Sequence, residues 1–91
     1  MRSTLDLFGE TTTYDTTDTI RLVMSVLEDN PHISYLSALD EAFGMVERSF
    51  VSIRDMEQSP NRFHVLWYHN QTKHDLGLMM HEAVSADRTI A

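Results

Sequence analysis

The chain has 91 residues, no cysteine and 42% hydrophobic residues, which fits one domain with a small core. The missing cysteines exclude disulfides and thiolate metal sites. Since the sequence has no apolar run of membrane-spanning length and no signal-peptide pattern near its start, we expect a cytosolic protein without membrane contact.

The net charge of −7 is unevenly distributed along the chain. Residues 1–47 contain nine acidic residues and two arginines, whereas residues 48–91 contain five acidic and five basic residues. Counterion release from nucleic acid needs a concentrated basic face, so uniform attraction to phosphate is not expected. A local contact between the second half of the chain and phosphate is still compatible with this charge distribution.

The first part of the chain, residues 1–14, is interpreted as an extended lead segment, and residues 15–91 as a single helix-turn-helix-like domain. The lead is polar except for Leu5, Leu7 and Phe8, and it continues into a run of threonines. This composition favours an extended backbone over a helix.

A first helix is predicted to begin near Asp15 and to end at Asn30. Asp15, Thr16 and Thr17 offer side-chain oxygens to the unpaired amides of a helix start. Asn30 precedes Pro31 and is therefore pushed out of the α region. The inner stripe is predicted to contain Ile20, Val23, Met24 and Leu27, and Leu22 and Val26 widen the apolar arc beyond this stripe.

A second helix is predicted to begin at Ser34, which can cap it, and to end at Gly44. Glycine readily takes the left-handed conformation found at helix ends. A third helix would follow, with an inner stripe of Val46, Phe50 and Ile53. The alternative is one helix from Ser34 to Glu57 that tolerates Gly44 at a cost of about 1 kcal/mol relative to Ala.

A strand is predicted over Arg62 to His69, where aromatic and β-branched residues alternate and both faces are largely apolar. Its partner would be Thr4 to Phe8, Thr11 to Tyr14, or a return strand across Asn70 to Lys73. The tail from Asp75 has helical spacing, with Leu76 to Met80 as a short strand in the alternative. We favour the helix.

The segment from Ser34 to Asp55 resembles a helix-turn-helix, and the strand after it makes the region similar to winged-helix domains. The matching positions are Leu39, Gly44, Phe50 and Ile53. This resemblance implies that the second helix of the pair enters the DNA major groove and that a hairpin touches the backbone. The implied DNA contacts are Arg48, Ser52 and Arg54 on the helix, with Arg62 and Lys73 on the wing. A plain helix bundle has the same apolar spacing and is the alternative.

The pentapeptide from Thr4 to Phe8 resembles the segment by which many bacterial DNA-processing proteins dock on the sliding clamp. The family pattern is Gln-Leu-Asp/Ser-Leu-Phe, and this chain has Thr-Leu-Asp-Leu-Phe. The resemblance implies that Leu5, Leu7 and Phe8 fill apolar pockets on a partner. In the alternative, the same side chains pack on the protein's own core or pair with the strand near Phe63.

Candidate catalytic groups form no pattern in this sequence. There is no Gly-rich phosphate loop, and none of the histidines has the spacing of a metal-binding motif. We expect no enzyme activity, no cofactor and no metal site. Solvated or core-edge positions are the simpler explanation for the histidines.

The expected fold is α+β and winged-helix-like, with three N-terminal helices, a short β-strand or hairpin, and a C-terminal helix. The expected function is that of a small non-enzymatic regulator or inhibitor, of the compact kind found in phages and mobile elements, that binds a protein acting on DNA. Its acidic residues could compete for a basic surface on that protein. They are Asp40, Glu41 and Glu47. The alternative is a DNA-binding transcriptional regulator, and a homodimer is compatible with either function.

Overall fold

The computed structural model describes residues 2–54 and 60–90 of the chain. A β-hairpin comes first and three α-helices follow it. The elements are β1 (Arg2–Leu7), β2 (Glu10–Asp15), α1 (Thr16–Asp29), α2 (Tyr35–Arg54) and α3 (Pro60–Ile90). The fold is therefore α+β as expected, but the order of its elements is not that of a winged helix. No strand follows the helices in the described residues, and the predicted winged-helix architecture is wrong.

The hairpin pairs β1 with β2 in antiparallel register, from Arg2 opposite Asp15 to Leu7 opposite Glu10. Its polar face consists of Arg2, Thr4 and Asp6 on β1 and Thr11, Thr13 and Asp15 on β2. The opposite face contains the half-buried Leu5 and Thr12 and the fully buried Tyr14. Side chains alternate across a strand, so this second face is the one packed on the helices. Thr4 to Phe8 and Thr11 to Tyr14 were each considered as a partner for a strand later in the chain. In the structure, these two segments pair with each other.

The start and end of α1 follow the prediction. The side chain of Asp15 accepts a hydrogen bond from the Thr17 amide at 2.9 Å. At the other end, the Asn30 amide donates to the Val26 carbonyl at 3.0 Å. The predicted inner stripe is partly wrong. Its buried positions are Thr19, Val23 and Val26, whereas Ile20 and Met24 are exposed.

Helix α2 runs without a break through Gly44, so the predicted turn at that residue is wrong. Ser34 caps the helix as expected, since its hydroxyl oxygen accepts a hydrogen bond from the Ser37 amide at 3.1 Å. A Cβ atom on Gly44 would meet only the outer end of the Arg48 side chain, at 3.3 Å. Neither a turn nor a close backbone contact requires a glycine here, and Val46 and Ile53 lie buried farther along the same helix.

Helix α3 contains the whole segment from Arg62 to His69, so the predicted strand is wrong as well. The favoured helix after Asp75 is the continuation of the same 31-residue helix. The helix contacts the hairpin through His64 and α2 through His69. A helix covered from two directions needs apolar residues on more than one face, which imitates the pattern of a buried strand.

The core lies between the three helices. Its buried residues are Val23, Val26, Ala38, Leu39, Ala42, Val46 and Leu76. Contacts of Glu47 with Lys73 and of Phe50 with His69 show that α2 and α3 are antiparallel. The molecule measures 49 × 24 × 19 Å, because α3 runs along its long axis.

Candidate protein-binding surface

The turn of the hairpin consists of Phe8 and Gly9, and both have positive φ, 56° and 75°. Positive φ at both central residues is the pattern of a type I′ turn, whose twist matches that of the flanking strands. Asn-Gly and Asp-Gly are the preferred sequences there. Glycine takes this conformation without strain, whereas a side chain such as that of Phe8 costs about 1–2 kcal/mol.

Three exposed apolar side chains lie at or beside this turn. The exposed fractions are 57% for Phe8, 51% for Phe63 and 38% for Leu7. The rings of Phe8 and Phe63 lie 5.7 Å apart between centroids, inclined at 46°. Phe63 comes from the first turn of α3, so two elements contribute to this surface, which we call the tip cluster.

A buried histidine holds the hairpin against α3 just behind the tip cluster. His64 Nε2 lies 2.9 Å from the Leu7 carbonyl oxygen, and Nδ1 lies 2.6 Å from the Thr12 hydroxyl. A carbonyl only accepts hydrogen bonds, so Nε2 carries the proton and donates it. In the tautomer with the proton on Nε2, Nδ1 accepts a hydrogen bond from the Thr12 hydroxyl. One side chain thus ties both strands to the helix.

The base of the hairpin is anchored by a buried polar network. The Tyr14 hydroxyl donates to the Asp75 carboxylate and also contacts the Thr19 hydroxyl. Thr16 donates to the same oxygen of Asp75 at 2.8 Å. Tyr14 is fully buried, and burial together with the bond to Asp75 raises the pKa of its phenol. The network joins β2, α1 and α3.

A pocket of about 250 Å³ lies where the three helices meet. Its polar lining includes Asp18, Tyr68 and His69. Burial, and then a hydrogen bond to Asp18, raise the pKa of Tyr68 to about 12. Burial lowers the pKa of His69, so this imidazole is neutral at pH 7. Among the described residues, the lining has a carboxylate but no lysine or arginine, which disfavours anionic ligands.

The predicted protein-binding residues fall into two separate places. Leu5, Leu7 and Phe8 lie on the hairpin, with Leu5 half-buried toward α3. The three predicted acids lie on α2, where Asp40, Glu41 and Glu47 are exposed. Glu41 pairs with Arg48 at 3.6 Å, and Glu47 pairs with Lys73 at 2.6 Å. Two of the three acids are therefore locally compensated.

The predicted DNA contacts are not arranged as a reading surface. Lys73 lies over the rings of Phe43 and Phe50, 5.4 and 5.1 Å from their centroids, and contributes to the packing of α2 on α3. Arg48 and Ser52 are exposed on a straight helix, whereas Arg62 is half-buried on α3. The side chain of Arg54 lies outside the described residues. The bend that would have presented these groups to a groove is missing.

Sequence reasoning missed the partners that hold the hairpin. Tyr14, His64 and Asp75 were not predicted to meet, and Phe63 was assigned to a strand. His64 and Asp75 are eleven positions apart in the sequence, which is about three helical turns, so both side chains face the same side of a helix. That spacing would have indicated a common surface if the segment had been assigned as helical.

Two further findings bear on the kind of site. No three His, Asp or Glu side chains within residues 2–54 and 60–90 lie close enough to bind a metal ion together. Among the described residues, no helix combines the length and the apolar character that a membrane crossing requires.

Comparisons with protein-family models, with curated proteins and with solved structures gave no match to this chain.

Proposed function

We propose that this protein is a small non-enzymatic regulator or inhibitor that binds a protein partner through the tip cluster. The observation that carries the proposal is the conformation of Phe8, which has a left-handed backbone and an exposed ring. A strained residue persists when the structure around it compensates for the strain, and such residues concentrate at binding sites.

Folding alone does not account for a phenylalanine at this position. Asparagine would fit the turn with less strain, and despite the contact with Phe63, residue Phe8 remains 57% exposed. When a partner covers a half-exposed aromatic ring, the burial of the remaining apolar surface stabilises the complex. Aromatic anchors of this kind dominate the binding energy of many interfaces.

The partner's surface must be apolar and concave to take up Phe8 and Leu7. The acidic side chain of Asp6 lies on the opposite face of β1, so a basic rim on the partner would match it. The resemblance of Thr4 to Phe8 to a clamp-docking peptide makes the bacterial sliding clamp the first partner to test. In the closed hairpin only Leu7 and Phe8 are accessible, because Leu5 is half-buried.

Replacement of Phe8 with Asn separates binding from folding, because it removes the ring and relaxes the turn. We expect Phe8→Asn to weaken binding to the partner at least about thirtyfold, equivalent to about 2 kcal/mol, without loss of thermal stability. Val51→Asn is the matched control, since Val51 is 53% exposed on α2, away from the hairpin. Capture from bacterial lysate and titration calorimetry with purified sliding clamp provide the measurements.

The proposal fails if Phe8→Asn and Val51→Asn capture the same proteins as the unmodified chain. Loss of stability in Phe8→Asn would also contradict it, because the ring would then serve the fold. Capture of a protein other than the clamp, lost only in Phe8→Asn, supports the proposal, and absence of binding to purified clamp in the calorimeter excludes the clamp as partner.

A cross-strand disulfide distinguishes docking of the closed hairpin from docking of a released peptide. Thr4 and Thr13 face each other on the polar face of the hairpin. In a two-residue hairpin they form a non-hydrogen-bonded pair, whose close Cα atoms suit a disulfide. The chain has no other cysteine to interfere. If Thr4→Cys with Thr13→Cys binds equally well oxidised and reduced, the closed tip is the docking form.

A further inference from the structure

The β-hairpin has a free edge along β1. Within residues 2–54 and 60–90, the sheet has two strands, β1 and β2. Because the two-residue turn makes Leu7 and Glu10 a hydrogen-bonded pair, the backbone groups of Arg2, Thr4 and Asp6 point away from β2. In the described residues, no backbone hydrogen bond outside the hairpin reaches these three residues. Such an edge is a template for another strand.

The sequence of β1 is complementary to itself when two copies run antiparallel. If Thr4 of one copy lies opposite Thr4 of the other, Arg2 lies opposite Asp6 at both ends. The three outward residues then form hydrogen-bonded pairs, which together supply six backbone hydrogen bonds. Opposite charges directly across a sheet stabilise the pairing.

The other edge of the hairpin lacks this complementarity. The corresponding residues of β2 are Thr11, Thr13 and Asp15, and β2 contains Glu10 and Asp15 but no basic residue. Pairing of two β2 strands would bring four carboxylates into one sheet without a cation from either strand. Charge therefore selects β1 over β2.

We infer that two copies of this protein associate through the β1 edges, centred on Thr4, to form a four-stranded antiparallel sheet in the order β2-β1-β1-β2. Both tip clusters lie beyond the paired residues, at opposite ends of this sheet. The dimer thus presents two docking sites, and it does not depend on the proposed function.

Proline substitutions on the two edges test this arrangement by sedimentation equilibrium of the full chain. Thr4→Pro removes an outward amide and leaves the ladder between β1 and β2 intact, since proline is tolerated where the N–H group faces solvent. We expect it to raise the dimer dissociation constant at least about tenfold. Thr13→Pro is the matched control on the opposite edge and should leave the dissociation constant unchanged.

Charge exchange supplies a second test that does not involve proline. Arg2→Asp places like charges across both ends of the interface and should weaken the dimer. Combined with Asp6→Arg, it restores opposite charges and should recover dimerisation. Far-UV circular dichroism verifies that each variant is folded.

A chain that remains monomeric up to about 1 mM overturns the inference, because that concentration corresponds to only about 4 kcal/mol of binding. A dimer that persists in folded Thr4→Pro overturns it too. Dissociation by Thr13→Pro with retention in Thr4→Pro would assign the interface to β2 and contradict the β1 pairing.

Discussion

At the base of the hairpin, Tyr14 is fully buried and bonded to Asp75, whereas at the turn, Phe8 is strained and more than half exposed. The two aromatic residues belong to the same hairpin, six positions apart. Tyr14 has an acceptor for its hydroxyl and a ring partner, Tyr68, at 5.4 Å between centroids. Among the described residues, Phe8 has one ring contact, with the similarly exposed Phe63.

This difference separates a stabilising end of the hairpin from an end that is free to bind. The base ties three elements together through buried hydrogen bonds, which are costly to break in a low-dielectric interior. The tip contributes little buried area and carries backbone strain. The hairpin thus holds its exposed aromatic residue on an anchored support, which under the proposed function would keep the entropic cost of binding low.

The largest effect is expected at the base, from Asp75→Ala. This change removes the carboxylate to which the hydroxyls of Tyr14 and Thr16 both donate, and it should lower the free energy of unfolding by about 2–3 kcal/mol. Chemical denaturation measures the loss. Glu82→Ala, an exposed acid on the same helix, is the control and should change stability by less than about 0.5 kcal/mol. If Asp75→Ala and Glu82→Ala lower the free energy of unfolding equally, the buried network does not anchor the hairpin.

A somewhat smaller effect is expected between base and tip, from His64→Leu. The change removes the bonds to Leu7 and Thr12 and should cost about 1–2 kcal/mol. Hydrogen exchange should accelerate in the hairpin amides more than in α1 or α2, because the hairpin loses its tie to α3. His74→Leu, at an exposed position of α3, provides the control. Uniform acceleration throughout the chain would contradict the local role of His64.

Alkaline pH should destabilise the buried network at the base of the hairpin. Unfolded tyrosine loses its proton near pH 10, but buried Tyr14 keeps its proton because burial and Asp75 raise its pKa. The unfolded chain then binds fewer protons, so stability falls as pH rises above 10. In Tyr14→Phe, the slope of unfolding free energy against pH should be shallower by up to about 1.4 kcal/mol per pH unit. Identical slopes in the two proteins would place Tyr14 in an ordinary solvent-like environment.

The smallest effect, of opposite sign, is expected at the tip. Phe8→Asn should leave the melting temperature unchanged or raise it, with a gain of up to about 1 kcal/mol, because asparagine suits the left-handed turn. Phe63→Ala removes the same ring contact but keeps the strain, and it should not stabilise the protein. If Phe8→Asn destabilises by as much as Asp75→Ala, the distinction between base and tip is lost.

Two segments show where reasoning from sequence succeeded and where it failed. The cap at Asp15 and the end of α1 at Asn30 depend on groups only a few residues apart, and both were predicted correctly. Gly44 was misjudged because a glycine inside a helix costs only about 1 kcal/mol, which the buried residues on both sides of it outweigh. A local preference of that size does not decide a helix that is packed along its length.

The sequence by itself determined the helix starts at Asp15 and Ser34, the end at Asn30 and the extended start of the chain, because these depend on nearby hydrogen bonds and backbone preferences. Only the tertiary structure decided that the segment from Arg62 to His69 is helical, that Tyr14 meets Asp75 and that Phe8 meets Phe63. The reason is that apolar residues on several faces fit a buried strand and a doubly covered helix equally well. Contacts between distant parts of the chain choose between the two.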